Sequence, residues 1–202
     1  ALLLHRVLER IGLSSYVKVS GKKGIHCLVP VNMPCDFSQV RSFAHTVARR
    51  IESHYPDMVT SKVRKEHRPG KVFIDWSQNS HHKSVVAAYS LRPEERPFVS
   101  APVTLEELAQ AEEKGDEAML RFHADDMPGR LEATGDILAP VLAMRQRLPG
   151  ITPPELHLSP DIWHGGKRKE SPRRRKENSL LQYESKRNLS RTDKPAPSSE
   201  SG

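Results

Sequence analysis

Three short stretches carry residues able to handle phosphate or metal. The first, Ser20-Gly21-Lys22-Lys23-Gly24-Ile25-His26, sets two glycines among a hydroxyl, two ammonium groups and an imidazole. Glycine lets a chain turn tightly and leaves its N–H groups open, and such turns make concave anion sites. His26 leaves the loop on an expected strand, from which its ring can point back over the same place. That combination could cradle a triphosphate, although the phosphate loop of common NTPases has another spacing and a following helix. The second, Phe73-Ile74-Asp75-Trp76-Ser77-Gln78-Asn79, places one carboxylate in an otherwise apolar run. An Asp in such a run is costly unless it is paired or binds a cation, and Mg²⁺ or Mn²⁺ takes oxygen ligands of this kind. The third is Ala88-Tyr89-Ser90-Leu91-Arg92, followed by Val99-Ser100-Ala101-Pro102. It offers a planar guanidinium beside a hydroxyl, a pairing suited to phosphate oxygens.

Each stretch also has a plain structural reading. The first is a β-hairpin with a Gly/Lys-rich turn, the second an Asp capping a strand end, the third an Arg closing a surface salt bridge. The elements around them are legible in outline. Leu3, Leu4, Val7, Leu8 and Ile11 fall at helical spacing, with Gly12 placed to end the helix. Strands are expected at Tyr16 to Val19, Ile25 to Val31 and Val72 to Trp76, with an extended run from Val85 to Leu91. Val40, Phe43, Ala44, Val47 and Ile51 mark a second helix. Thr104 and Glu107 form a capping-box pattern for a third. A further helix is expected around Asp136 to Leu148, bent or delayed by Pro140. The whole reads as an α+β or α/β domain over 1–164, followed by a basic Ser/Pro/Lys/Arg-rich tail, 165–202, expected to be disordered.

Charge divides the chain. Residues 1–92 carry 15 basic against 6 acidic groups, whereas 93–164 carry 6 against 14. The tail holds 11 against 5 and so supplies most of the overall +7. A positive segment beside a negative one points to an anion-facing half and a solvated half. Two cysteines, Cys27 and Cys35, make neither a disulfide framework nor a zinc site, and point to an intracellular setting. No apolar run is long enough to span a membrane. The chain opens with Ala1 inside an expected helix, which suggests a missing upstream part.

Taken in order, Ser-Gly-x-Lys-Gly-x-His, Phe-Ile-Asp-aromatic-x-x-Asn, Tyr-Ser-Leu-Arg and Val-Ser-x-Pro resemble the polymerase domain of bacterial DNA ligase D. That domain belongs to the archaeo-eukaryotic primase superfamily. The likeness runs from about Leu2 to Leu148 and includes Glu106-Glu107-Leu108. It implies a primase-like catalytic core, a central mixed β-sheet flanked by helices, here truncated at its N-terminus. It also implies template-directed addition of ribo- or deoxynucleotides to DNA ends or gaps in non-homologous end joining, with Mn²⁺ or Mg²⁺ in a two-metal site.

By position, the resemblance assigns the incoming triphosphate to Ser20, Lys23 and His26, with Ser90 and Arg92 completing the pocket and Asn79 nearby. Asp75 becomes the catalytic, metal-binding carboxylate. Lys62, Arg64, Lys65 and Lys71 fall where nucleotide or DNA backbone is bound. The implied partners are gapped or broken DNA, a Ku-like end-binding protein, and a fused or separate ATP-dependent ligase, in the bacterial cytoplasm with the nucleoid. Two features depart from the pattern. No Asp-x-Asp pair, the family's first metal motif, occurs in the sequence, so the chain alone is expected to be inactive; Ala88 and Trp76 stand where Pro and Tyr are usual. The alternative is a non-catalytic nucleotide- or DNA-binding module of primase type.

Overall fold

The computed structural model describes residues 1–150 together with Leu158 and Ile162, all within a unit spanning Ala1–Gly165. The tail at 165–202 lies outside the described residues. The first helix, α1 (Leu2–Arg10), buries Leu3, Val7 and Leu8. It ends in a Schellman motif: Gly12 takes φ +78°, its N–H bonds to Glu9 O, and the Leu13 N–H bonds to Leu8 O at 2.9 Å. The chain then forms β1 (Tyr16–Val19) and β2 (Ile25–Leu28), paired antiparallel with Lys18 directly opposite His26.

Helix α2 (Phe37–His54) starts at a reciprocal cap. The Gln39 N–H donates to the Asp36 carboxylate at 2.7 Å, and the Asp36 N–H donates to Gln39 Oε1 at 2.9 Å. Two short strands follow, β3 (Val59–Thr60) and β4 (Val72–Phe73), which pair in parallel. Next come β5 (Leu91–Arg92) and β6 (Phe98–Val99), an antiparallel pair, and β7 (Pro102–Val103), which lies against β1. The last described helices are α3 (Leu105–Lys114), α4 (Met127–Thr134) and α5 (Ala139–Ala143). Parallel and antiparallel pairing therefore both occur, spread over three small sheets, the largest ordered β2-β1-β7.

Two apolar clusters hold these pieces. One packs Leu3 and Val7 of α1 with Val47 and Ile51 of α2, Val59, Leu158 and Ile162. The other joins Val17 and Val19 of β1 to Val99, Ala101, Val103, Leu108 and Met127. Helix α1 faces the first through Leu3 and touches the second through Leu2, so it links the helical layer to the sheet.

Several expectations change. The second strand stops at Leu28 because Pro30 and Pro34 follow and lack the N–H a ladder needs. The strand at Val72 ends by Phe73, and Trp76–Gln78 becomes a 3-10 turn. The run from Val85 is a loop, with Tyr89 at φ +64°, and strand returns only at Leu91. The helix expected over 136–148 is confined to Ala139–Ala143, with Pro140 in its first turn, where the missing N–H costs nothing. Beyond it, the Gln146 side chain accepts from the Ser14 N–H at 2.6 Å and donates to the Ser14 and Pro30 carbonyls at 3.0 Å.

Candidate functional site

The loop between β1 and β2 is organised by Ser20. Its N–H donates to the Gly24 carbonyl at 2.8 Å, and its hydroxyl oxygen accepts from the N–H groups of Lys22 at 3.2 Å and Gly24 at 3.0 Å. Those two backbone donors, expected to face an anion, are used within the turn. What the loop offers instead is the Ser20 hydroxyl proton and side-chain charge. Gly21 is buried at φ +69°, and a Cβ there would meet Arg92 Cγ at 2.5 Å. Glycine is required so that the Arg92 stem can cross the loop.

Ser20, His26 and Arg92 line one cleft of about 480 Å³ together with Gln78, Ser84, Val85 and Val86. No carboxylate is among these lining residues. Lys18 lies behind it, 2% exposed, and its ammonium donates to Ser100 Oγ at 2.7 Å while Ser100 Oγ donates to the Val19 carbonyl at 2.8 Å. Burial, and then the Arg92 charge, lowers the Lys18 pKa. Burial, then Lys18, then Arg92 lowers that of His26 below its ordinary 6.5. His26 Nδ1 and Arg92 Nε are buried without a hydrogen-bond partner. The unpartnered Arg92 N–H, set among concentrated positive charge, could donate to an anion.

The remaining expected residues lie outside the lining of this cleft. Lys23 is exposed on the same loop, outside the lining. Ser90 immediately precedes β5, and its carbonyl accepts from the Ser100 N–H at 2.9 Å. Asn79 closes the 3-10 turn, its side chain donating to the Trp76 carbonyl at 3.2 Å. Asp75 begins that turn, is exposed, and accepts from the Ser77 hydroxyl at 2.6 Å. Lys62, Arg64 and Lys65 are exposed and Lys71 is half-buried; Arg64 stands 3.6 Å from Glu66. Sequence reasoning missed Gln78, Ser84, Val85 and Val86 in the lining, and Lys18 behind it. Strand alternation sets Lys18 in step with Ser20, two residues on, but marks it no more as buried than as solvent-facing. Gln78 lies three residues past Asp75, inside a motif already in view.

The β1–β2 hairpin, the turn that carries Gln78 and the β5–β6 pair that delivers Arg92 over the Gly-rich loop thus meet at one cleft. The polymerase domain from Mycobacterium tuberculosis ligase D, solved in complex with DNA, aligns with a TM-score of 0.64 at 37% identity, covering 71% of this chain and 48% of that one. The family described as the LigD primase-polymerase domain matches residues 1–138, and the chain belongs to it. A multifunctional non-homologous end joining protein LigD from Mycolicibacterium smegmatis is 40% identical over 138 residues, 68% of this chain and 17% of the relative. Its counterpart in Pseudomonas aeruginosa is 33% identical over 144 residues, 70% of this chain and 16% of the relative. The chain thus spans about a sixth of the length of these relatives.

The family implies a divalent metal. Among the described residues no group of three or more His, Cys, Asp or Glu could hold one, and Asp75 already shares an oxygen with Ser77. Asp75 therefore belongs to no such group among the described residues. No described helix is long and apolar enough to cross a membrane.

Proposed function

We propose that the chain forms the nucleotide-handling part of a template-directed nucleotidyltransferase that works at DNA ends or gaps in end-joining repair. The observation that carries this is the convergence of Ser20, His26, Gln78 and Arg92 on one acid-free cleft, with Lys18 buried behind His26. A nucleoside triphosphate fits that electrostatic pattern: its phosphates accept from the Arg92 fork, the Ser20 hydroxyl and the His26 ring, with Lys23 at the rim. Ser90 supports the Arg92 strand, and Asn79 holds the turn that presents Gln78. Lys62, Arg64, Lys65 and Lys71 serve nucleic-acid backbone. Asp75 contributes one carboxylate toward Mn²⁺ or Mg²⁺. A Ku-like protein and an ATP-dependent ligase are the proposed partners, and the bacterial cytoplasm, at the nucleoid, the proposed location.

The lone carboxylate favours a second reading, a module that binds nucleotide and DNA without chemistry. Incubating a version completed upstream of Ala1 with the Asp-x-Asp motif that the resemblance implies, together with Mn²⁺, nucleoside triphosphates and a gapped duplex, separates the two. Primer extension that Asp75→Ala abolishes while DNA binding persists supports the polymerase. Nucleotide binding without extension supports the module, and extension unchanged in Asp75→Ala sinks the metal assignment.

A further inference from the structure

Helix α2 carries Arg41, His45 and Arg49 at successive intervals of four, so a guanidinium or imidazole recurs about every 6 Å along the same flank. Arg41 and Arg49 are exposed and His45 is half-buried. Among the described residues neither arginine has an ion pair, and the helix contains a single acid, Glu52. The Glu52 carboxylate is engaged elsewhere: it accepts from the Thr60 hydroxyl at 3.0 Å, the Ser61 N–H at 3.1 Å and the Ser61 hydroxyl. Burial, then the charges of Arg49 and Arg41, hold the His45 pKa down against Glu52, as expected for like charges crowded on one face.

Trp76 braces the row. The His45 ring stacks on its indole with centroids 3.9 Å apart at 27°, and the Arg41 guanidinium lies 5.2 Å from the same ring. The indole N–H donates to the Ser61 carbonyl at 2.8 Å, immediately before the basic segment that begins at Lys62. Two side chains held on one aromatic ring, a guanidinium and an imidazole, are ordered before any partner arrives, which lowers the entropic cost of binding.

We propose that Arg41, His45 and Arg49, ordered by Trp76, form a track for the phosphodiester backbone of a DNA strand, separate from the nucleotide cleft. Two guanidinium groups flanking an imidazole, with the helix's one acid already hydrogen-bonded to Thr60 and Ser61, match a repeated anion, and the regular spacing favours a polymer over a single phosphate. The proposal rests on the nucleic-acid reading above. Its test uses the whole chain, a labelled gapped DNA duplex, and a titration of salt from about 50 to 200 mM.

Arg41→Gln with Arg49→Gln changes only exposed side chains. It is expected to weaken DNA binding about tenfold at moderate salt and to reduce the slope of log K against log salt by about two, one for each lost phosphate contact. Trp76→Phe, which keeps a ring but loses the indole N–H, is expected to weaken DNA binding less. Binding of ATP to the cleft serves as the internal control and is expected to stay unchanged in the double arginine variant. An unchanged salt slope in the double variant overturns the track. So does displacement of DNA by polyglutamate at equal charge concentration, which marks an acidic-protein surface instead. Failure of ATP to bind while the DNA slope still falls leaves the track standing and condemns the cleft reading.

Discussion

Gly21 concentrates the demands of the site on one residue. It must adopt a positive φ, and it must leave room for the Arg92 stem and for the backbone at Val99 and Ser100, which a Cβ would approach to 3.2 and 3.3 Å. Gly21→Ala is expected to cost about 2 kcal/mol of stability and to displace Arg92, weakening triphosphate binding more than it weakens folding. Urea unfolding beside nucleotide titration checks both parts; full nucleotide affinity in the variant would show that Arg92 is not held by this loop. The glycine was legible in the sequence because only a tight turn explains its place between Ser20 and Lys22. Lys18 was not. A lysine on a four-residue strand reads as solvent-facing, and its burial depends on Ser100, 82 residues away, which no local pattern reveals.

At the scale of elements, the sequence was most readable where local chemistry decides. The Gly12 stop of α1 and the Thr104–Glu107 cap of α3 follow from short-range signals and appear as expected. Helix α4 escaped because Met127-Pro128-Gly129-Arg130 has little apolar period, and what fixes it is tertiary. Arg130 spans from α4 to α3, pairing with both oxygens of Glu107 and donating to the Pro102 carbonyl at 2.9 Å. Burial alone raises the Glu107 pKa, but the Arg130 hydrogen bonds and charge and the Thr104 N–H outweigh it and hold the carboxyl below its ordinary 4.5. A depressed carboxyl contributes stability above its unfolded pKa and loses it as pH falls through the folded value. Arg130→Ala is therefore expected to cost about 2 kcal/mol at neutral pH, between an exposed and a buried pair. The gap between variant and parent should narrow as pH falls below 4.5 in thermal or urea unfolding. A gap that stays constant with pH would assign Arg130 a packing role only.

Across the whole molecule, charge was the most informative global feature. The positive excess of residues 1–92 holds the cleft, the α2 row and the basic 62–71 segment, while the acidic 93–164 supplies α3 and α4 on the other side of the sequence. The fold class followed from motif order, but the division into three small sheets did not, since two-residue strands leave almost no period to read. The tail carries 11 basic against 5 acidic groups, so removing 165–202 is expected to flatten the salt dependence of DNA binding; an unchanged slope would make it a passive linker.

The claim on which the rest depends is that the Ser20–His26–Gln78–Arg92 cleft takes a triphosphate. Calorimetric titration of the chain with ATP, ADP and AMP tests it most directly. Affinity is expected to fall about tenfold with each phosphate removed, and Arg92→Ala to erase most of that difference. Equal affinity for the three nucleotides, or an undiminished phosphate preference in Arg92→Ala, would contradict it.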